Sequence, residues 1–152
     1  MSEREKLLRE AEEANAELRQ AMAGLHEDQM HRPWFGTWGV REILIHISGW
    51  HREMIPALAR IGRGEPPYPK GTYDDFDAWN ARFVERKGGA ELAEILRELD
   101  ASHRDFVAAA AALPDAHFAP EATARGIFEG SGPGHYREHI SEILRWRREA
   151  AR

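Results

Sequence analysis

Two histidines, His135 and His139, lie four residues apart in the segment HYREH near the end of the chain. Residues at this spacing share one face of a helix, so both imidazoles can reach the same metal ion. In zinc proteases of the HExxH type a glutamate follows the first histidine, whereas Tyr136 stands there in this chain, so the segment does not predict a protease. Taken alone, the pair fits half of a metal site or two partly buried histidines with hydrogen-bond partners.

A third ligand has to come from another helix, and the sequence offers three candidates. His46 is enclosed by aliphatic residues in the segment ILIHI, where a polar ring is costly unless it has a partner. His51 lies about as far from the centre of the same helical face, and periodicity does not choose between the two. The segment WHRE around His51 predicts a wetter position, which favours His46. His103 occupies a core position of its own helix, where a hydrogen bond to a neighbour is favoured over ligation.

The elements that position these histidines have helical patterns, since apolar residues recur at spacings of three and four. No segment has the alternation of a strand. Pro56 should kink or shorten the second long helix, because it removes a backbone donor and clashes with the preceding turn. We therefore predict an all-α, four-helix bundle with one additional short helix, in a single domain spanning residues 1–152. The predicted helices cover about residues 2–24, 39–61, 74–86, 90–113 and 133–148, and the segments between them are predicted to be loops.

Composition narrows the classes of function. The chain has 152 residues, a net charge of −5 and no cysteine, so a cysteine nucleophile or a cysteine-ligated metal is excluded. The arginines alternate with glutamates at helical spacing, and no basic stripe of the kind that binds nucleic acid is visible. No apolar run reaches membrane-spanning length, and the charged first residues lack the pattern of a signal peptide. We expect a cytoplasmic protein that binds neither nucleic acid nor a membrane.

The tryptophan and asparagine in the short helix predict part of a pocket wall. Trp79 is followed by Asn80, and asparagine is a poor choice inside a short amphipathic helix unless its amide makes a specific bond. The alternative is that Asn80 caps a neighbouring turn. The predicted lining of a small-molecule pocket is Trp50, Trp79, Asn80, Tyr136 and His103.

Three segments resemble the DinB/YfiT-like superfamily, in the order that superfamily requires: GTWGVREILIHISGW, DDFDAWNARFVER and HYREHISEILRW. The resemblance covers nearly the whole chain and implies a four-helix bundle, often a homodimer. It also implies a metal site with one histidine from the second long helix and two ligands from the last. Matched by position, these are His46, His135 and His139. The segment around Trp79 is also similar to the branch that contains the colibactin self-protection protein.

The same resemblance suggests what the site does. Members include bacillithiol transferases and the N-terminal domain of mycothiol-dependent maleylpyruvate isomerase. A set of three neutral imidazoles suits Zn²⁺, Ni²⁺ or Fe²⁺ and leaves coordination positions open, as catalytic sites do. The leading hypothesis is a metal-dependent transferase or hydrolase that acts on a small electrophile, with a low-molecular-weight thiol as a candidate cosubstrate. The alternative is a non-catalytic protein that sequesters a small molecule in an aromatic pocket.

Overall fold

The structure is a computed structural model that describes residues 1–151, and it is built from α-helices with no β-strand in that range. The predicted all-α fold is confirmed. In chain order the helices are α1 (Glu3–Met22), α2 (Glu27–His31), α3 (Val40–Gly62), α4 (Phe76–Arg86), α5 (Leu92–Ala111), a 3₁₀ helix (Asp115–Phe118), α6 (Thr123–Ser131) and α7 (Pro133–Ala150).

Four long helices form the bundle, because each has an apolar stripe that must be covered. Helix α3 packs chiefly against α5, and α1 packs chiefly against α7, while further contacts between α1 and α5 and between α3 and α7 close the core. Leu18, Leu44, Leu58, Leu99 and Ile143 are completely buried there. Helix α3 is the most enclosed of the four, with buried residues on most of its circumference. Consequently, α3 and α7 face each other with the candidate ligands between them.

Two predicted loops contain helices, and the proline inside the second long helix does not shorten it. The segments 25–38 and 114–132 hold α2 and α6, which the sequence did not predict. Gly126 and Gly130 lower the intrinsic helix propensity of α6, but burial of its Ile127 and Phe128 overrides that local preference. Pro56 does not shorten α3, which continues to Gly62 because the residues after the proline remain packed in the core.

The start of α3 is held firmly, which matters because His46 lies on its second turn. Glu42 accepts a hydrogen bond from the backbone N–H of Gly39 at 2.8 Å, as the acidic residue of a capping box does. A Cβ atom at position 39 would lie 2.5 Å from the carbonyl oxygen of Arg32, so only glycine fits there. The buried guanidinium of Arg41 donates to the carbonyl oxygen of Ala90 at 2.7 Å and thereby ties α3 to the loop before α5.

The helices are amphipathic rather than uniformly apolar. Over the described part of the chain, none combines the length and hydropathy needed to cross a bilayer.

Candidate metal centre

Three imidazole rings meet between α3 and α7. The Nε2 atoms of His46 and His135 are 3.0 Å apart, those of His135 and His139 are 3.1 Å apart, and those of His46 and His139 are 3.3 Å apart. His46 and His139 are buried, and His135 is partly exposed. Among the described residues these three form the one group of histidines and carboxylates arranged closely enough to share an ion. The structure therefore brings together the three residues that the family resemblance indicates.

The triangle has three nitrogen–nitrogen contacts, but at most two hydrogens can lie within it. The Nδ1 atom of His46 lies 2.8 Å from the carbonyl oxygen of Ile43 and must donate to it. In a neutral imidazole the other nitrogen is then a bare acceptor, so Nε2 of His46 points a lone pair at its two neighbours. Nδ1 of His135 is buried without a hydrogen-bond partner in the described residues. Nitrogens this close with too few protons among them are costly to bury unless a cation lies between them.

The spacing of the triangle fits a metal ion. Two nitrogens bound to one tetrahedral Zn²⁺ at about 2.0–2.1 Å stand about 3.3 Å apart. The three observed separations of 3.0, 3.1 and 3.3 Å are close to that value. The donor set and its spacing therefore fit a divalent ion bound by His46, His135 and His139.

The rings are neutral near physiological pH, as metal ligation requires. Burial lowers the pKa of His46 to about 3, with a further contribution from the charge of His139. Burial also lowers the pKa of His139 to about 4. The pKa of His135 lies well below its usual value, first because of burial and then because His46 and His139 are close.

A carboxylate that is not among the predicted site residues lies behind the third ligand. Glu142 Oε1 is 2.7 Å from His139 Nδ1, although it lies off the N–H direction, so the pair is a close contact rather than a formed hydrogen bond. Burial raises the pKa of Glu142. Carboxylates in this position orient metal-bound histidines in many metalloproteins. The signal was present in the sequence as a histidine and a glutamate three residues apart on one helical face.

The triangle opens on a cavity of about 750 Å³. Its wall contains the three histidines, six aromatic side chains from four segments of the chain, and the polar residues Asp77, Asn80, Ser131 and Glu138. The six aromatic residues are Phe35, Trp38, Trp50, Tyr68, Tyr73 and Phe76. A smaller cavity of about 140 Å³ lies on the side of α3 that faces α4 and α5, and it contains no histidine.

Part of this wall comes from a turn in a segment that is predicted from its sequence only to be a loop. Trp38 N–H donates to the carbonyl oxygen of Phe35 at 2.9 Å and Phe35 N–H donates back at 2.8 Å, while Gly36 takes the left-handed conformation that the turn requires. The turn places the ring of Trp38 4.9 Å from that of His46 and the ring of Phe35 6.3 Å from that of His139. A turn that packs onto a distant helix leaves no periodic signal in the sequence.

The predicted pocket residues separate into two groups. Trp50 and Asn80 line the cavity, and Trp50 Nε1 donates to Asn80 Oδ1 at 2.7 Å. Trp79 lies behind the wall, where it packs on Tyr73 and donates from Nε1 to the carbonyl oxygen of Thr72 at 3.0 Å. This corrects the predicted placement of Trp79, because its indole is turned toward the loop that precedes α4.

Tyr136 and His103 also lie outside the lining, in a buried hydrogen-bonded chain that crosses the bundle. The hydroxyl of Tyr136 is 2.6 Å from His51 Nε2 and 2.8 Å from His103 Nδ1. His103 Nε2 continues the chain to Glu12 at 3.1 Å, and His51 Nδ1 continues it to Ser102 at 2.8 Å. The polar atoms of Tyr136 and His103 hydrogen-bond each other and their neighbours in this chain. Neither residue therefore lines the cavity, which differs from the predicted lining.

The predicted exposure of His51 was wrong. It was predicted to be wetter than His46, yet it has no exposed surface. The charged residues beside it in sequence point to other faces of α3, since Arg52 forms ion pairs with Glu98 and Asp105 on α5. Burial and the nearby charges of His103 and His135 hold the pKa of His51 well below its usual value.

Comparison with known proteins supports the fold over nearly the full chain. The crystal structure of the colibactin self-resistance protein ClbS in complex with a dsDNA has a TM-score of 0.82 at 12% identity and covers 95% of both chains. A structure described as Sibling Lethal Factor Precursor - DfsB has a TM-score of 0.80 at 15% identity, covering 99% of this chain and 97% of that one. An uncharacterised protein from Escherichia coli UTI89 has a TM-score of 0.78 at 14% identity, covering 97% and 94%.

At these identities the solved structures show a shared fold and nothing finer. No curated protein has significant similarity to the sequence. The family model of the DinB superfamily matches residues 10–146, a range that includes all three candidate ligands. The chain therefore belongs to the DinB superfamily.

Proposed function

We propose that this protein is a metal-dependent enzyme that transfers a small thiol to an electrophile, or hydrolyses that electrophile, at the His46–His135–His139 site. The observation that carries the proposal is a triangle of neutral imidazole nitrogens that opens on a 750 Å³ cavity. A purely structural zinc site is closed by four protein ligands, whereas catalytic sites retain an open position. Among the described residues no fourth histidine or carboxylate joins the group.

The chain's own residues supply binding and orientation. His46, His135 and His139 would hold Zn²⁺, Ni²⁺ or Fe²⁺, and Ile43 holds His46 in the ligating tautomer through its carbonyl oxygen. The bound ion supplies Lewis-acid chemistry that lowers the pKa of a nucleophile in the cavity. The aromatic side chains bind the organic part of the substrate and exclude water from it.

The overall reaction balances in either form. With a thiol, a carbon–sulfur bond forms, the bond from carbon to the leaving group breaks, and the thiol proton is released. With water, a carbon–oxygen bond forms in place of the carbon–sulfur bond. The chain contains no cysteine, so any thiol that reacts must be a separate molecule.

The test begins with the metal. Protein purified without a nickel column should contain close to one divalent ion per chain, measured by elemental analysis. Turnover is then assayed with 1-chloro-2,4-dinitrobenzene plus a small thiol, and with 4-nitrophenyl acetate alone. Metal-dependent turnover of either reagent above the background rate, lost in His46→Ala and retained in His117→Ala, supports the proposal. Bound metal with no turnover of any electrophile would contradict the catalytic part.

A second candidate function is sequestration of a small molecule, and the aromatic wall of the cavity favours it. ClbS, one of the structures that share this fold, is described as a self-resistance protein. A protein of that kind can protect by binding alone. Stoichiometric protection against an electrophile, with no product released after one equivalent, would favour this function. The dsDNA in the ClbS structure does not change the expectation for this chain, whose net charge of −5 disfavours nucleic-acid binding. A mobility-shift assay with duplex DNA tests that expectation.

A further inference from the structure

Away from the three histidines, the described side chains that line the cavity include two carboxylates and no lysine or arginine. Asp77 on α4 and Glu138 on α7 line it, and no lysine or arginine does so within residues 1–151. Two arginines outside the lining contact other groups: Arg60 donates to the carbonyl oxygen of Pro67 at 2.7 Å, and Arg82 lies 4.4 Å over the ring of Trp79. An anionic molecule entering the cavity therefore meets repulsion that no side chain of the wall offsets.

The aromatic side chains around those carboxylates suit an apolar or cationic group. Phe35 and Phe76 are two of the four large hydrophobic side chains that are exposed on the described surface, and both line this cavity. Trp50 packs edge-on against Tyr73 and Phe76, with ring centroids 5.4 and 5.6 Å apart. Aromatic faces attract cations as well as apolar surface, and carboxylates beside them strengthen that preference.

Asn80 adds a directional element to the wall. An indole N–H can only donate, so the amide atom that faces Trp50 Nε1 at 2.7 Å must be the oxygen. The amide nitrogen is thereby turned the other way, and it has no hydrogen-bond partner among residues 1–151, although Asn80 lines the cavity. The wall thus offers a fixed pair of N–H donors, which pair with an acceptor such as a carbonyl oxygen.

From these features we infer that the substrate is an uncharged or cationic organic molecule with an apolar body and a hydrogen-bond acceptor that meets Asn80 Nδ2, and that the wall away from the three histidines disfavours anionic groups. The inference rests on the proposed function for its site, and it deepens that function by naming the substrate class. It also has a consequence for the thiol: one that carries several carboxylates is a poor fit unless those groups remain outside the cavity.

The experiment uses three ligands with one indole scaffold and different side-chain charges: tryptamine (cationic), indole-3-acetone (uncharged, with a carbonyl acceptor) and indole-3-acetate (anionic). Calorimetric titration into the chelator-treated full chain removes direct coordination of the carboxylate by a metal ion. We expect tryptamine and indole-3-acetone to bind about tenfold or more tightly than indole-3-acetate. Indole-3-acetate binding as tightly as tryptamine would overturn the inference, as would the absence of binding by all three ligands at millimolar concentration.

Matched variants test which residues of the wall cause the charge preference and which bind the acceptor. The double variant Asp77→Asn/Glu138→Gln should reduce the preference for tryptamine over indole-3-acetate to about twofold, whereas Glu121→Gln, an exposed acid outside the lining, should leave it intact. Asn80→Asp keeps an oxygen for Trp50 and removes the N–H donors. It should weaken indole-3-acetone about tenfold and should not weaken tryptamine. An unchanged preference in the double variant, or unchanged indole-3-acetone affinity in Asn80→Asp, would overturn the assignment.

Metal content, measured on each preparation before the chelator treatment, distinguishes the two proposals. Normal metal binding with the wrong charge preference refutes only the substrate class. The expected charge preference without metal binding refutes the metal-dependent function and leaves the cavity as a binding site.

Discussion

Two groups of histidines share α3, one reaching across to α7 and the other to α5, and they differ in how their nitrogens are satisfied. In the buried chain, the hydroxyl of Tyr136 lies between His51 and His103, and each further nitrogen has its own partner in Ser102 or Glu12. Donors and acceptors can alternate along such a chain, so it is stable without any ligand. In the triangle of His46, His135 and His139, three nitrogens face one another with no hydroxyl between them.

The difference shows why burial alone does not identify a metal site. His51 is more deeply buried than His46, yet its environment is complete. The useful question for each buried histidine is whether a protein group accepts or donates at both ring nitrogens. Where three rings point their nitrogens at one position and lack such partners, a cation at that position is the simplest partner.

The largest expected effect is the loss of metal from the triangle. His46→Ala, His135→Ala and His139→Ala should each weaken Zn²⁺ binding by at least about a hundredfold, because each removes one of three ligands. Competition against a chromophoric chelator measures the affinity. His31→Ala serves as the control, since that histidine is exposed on α2. Retention of full affinity in any one of the three variants would remove that residue from the ligand set.

A substitution in the hydrogen-bonded chain of His51, Tyr136 and His103 should instead lower stability and leave metal binding nearly unchanged. His51→Ala removes a fully buried ring that packs on Phe106 at 5.0 Å and deprives Tyr136 and Ser102 of a partner. We expect the free energy of unfolding to fall by about 2–4 kcal/mol, measured by urea denaturation, and Zn²⁺ affinity to change by less than about threefold. A large loss of metal affinity with unchanged stability would mean that His51, not the triangle, governs the site.

A third prediction concerns the stability of the metal-free protein in acid. The folded-state pKa values of His139 and His46 are about 4 and 3, below the ordinary value of 6.5. In that interval the unfolded chain binds protons that the folded chain does not, so stability is fully present above about pH 6.5 and falls as the pH drops toward 4. His139 alone should cost the metal-free protein about 3 kcal/mol across this range.

Urea denaturation of metal-free protein between pH 7 and pH 4.5 tests the acid prediction. His139→Leu provides the comparison, because it removes one of the rings whose pKa is lowered and should make this part of the pH profile less steep. A wild-type profile that is already flat would show that the rings are protonated without penalty, which a closely packed triangle does not permit.

Sequence patterns predicted much of the bundle because its long helices bury continuous apolar stripes. They also found His135 and His139, whose shared face follows directly from their spacing. The choice of His46 over His51 needed the family resemblance, because both lie about equally far from the centre of one face. The role of Tyr136 was not accessible, since it depends on the rotation of α7 against α3 and α5. The short helices α2 and α6 were missed because their stability comes from tertiary burial rather than local propensity.

The smallest expected effect concerns the carboxylate behind His139. If Glu142 orients that ring, Glu142→Gln should weaken Zn²⁺ binding about tenfold, because removing a carboxylate from a metal-bound histidine typically costs ten- to a hundredfold. The amide retains the size of the side chain and an acceptor oxygen, so stability should change by less than about 1 kcal/mol. Glu149→Gln, an exposed acid further along α7, is the matched control for loss of charge on that helix. Equal metal affinities in the two variants would show that Glu142, although 2.7 Å from His139 Nδ1, does not orient that ring. The three histidines alone would then determine how tightly the ion is held.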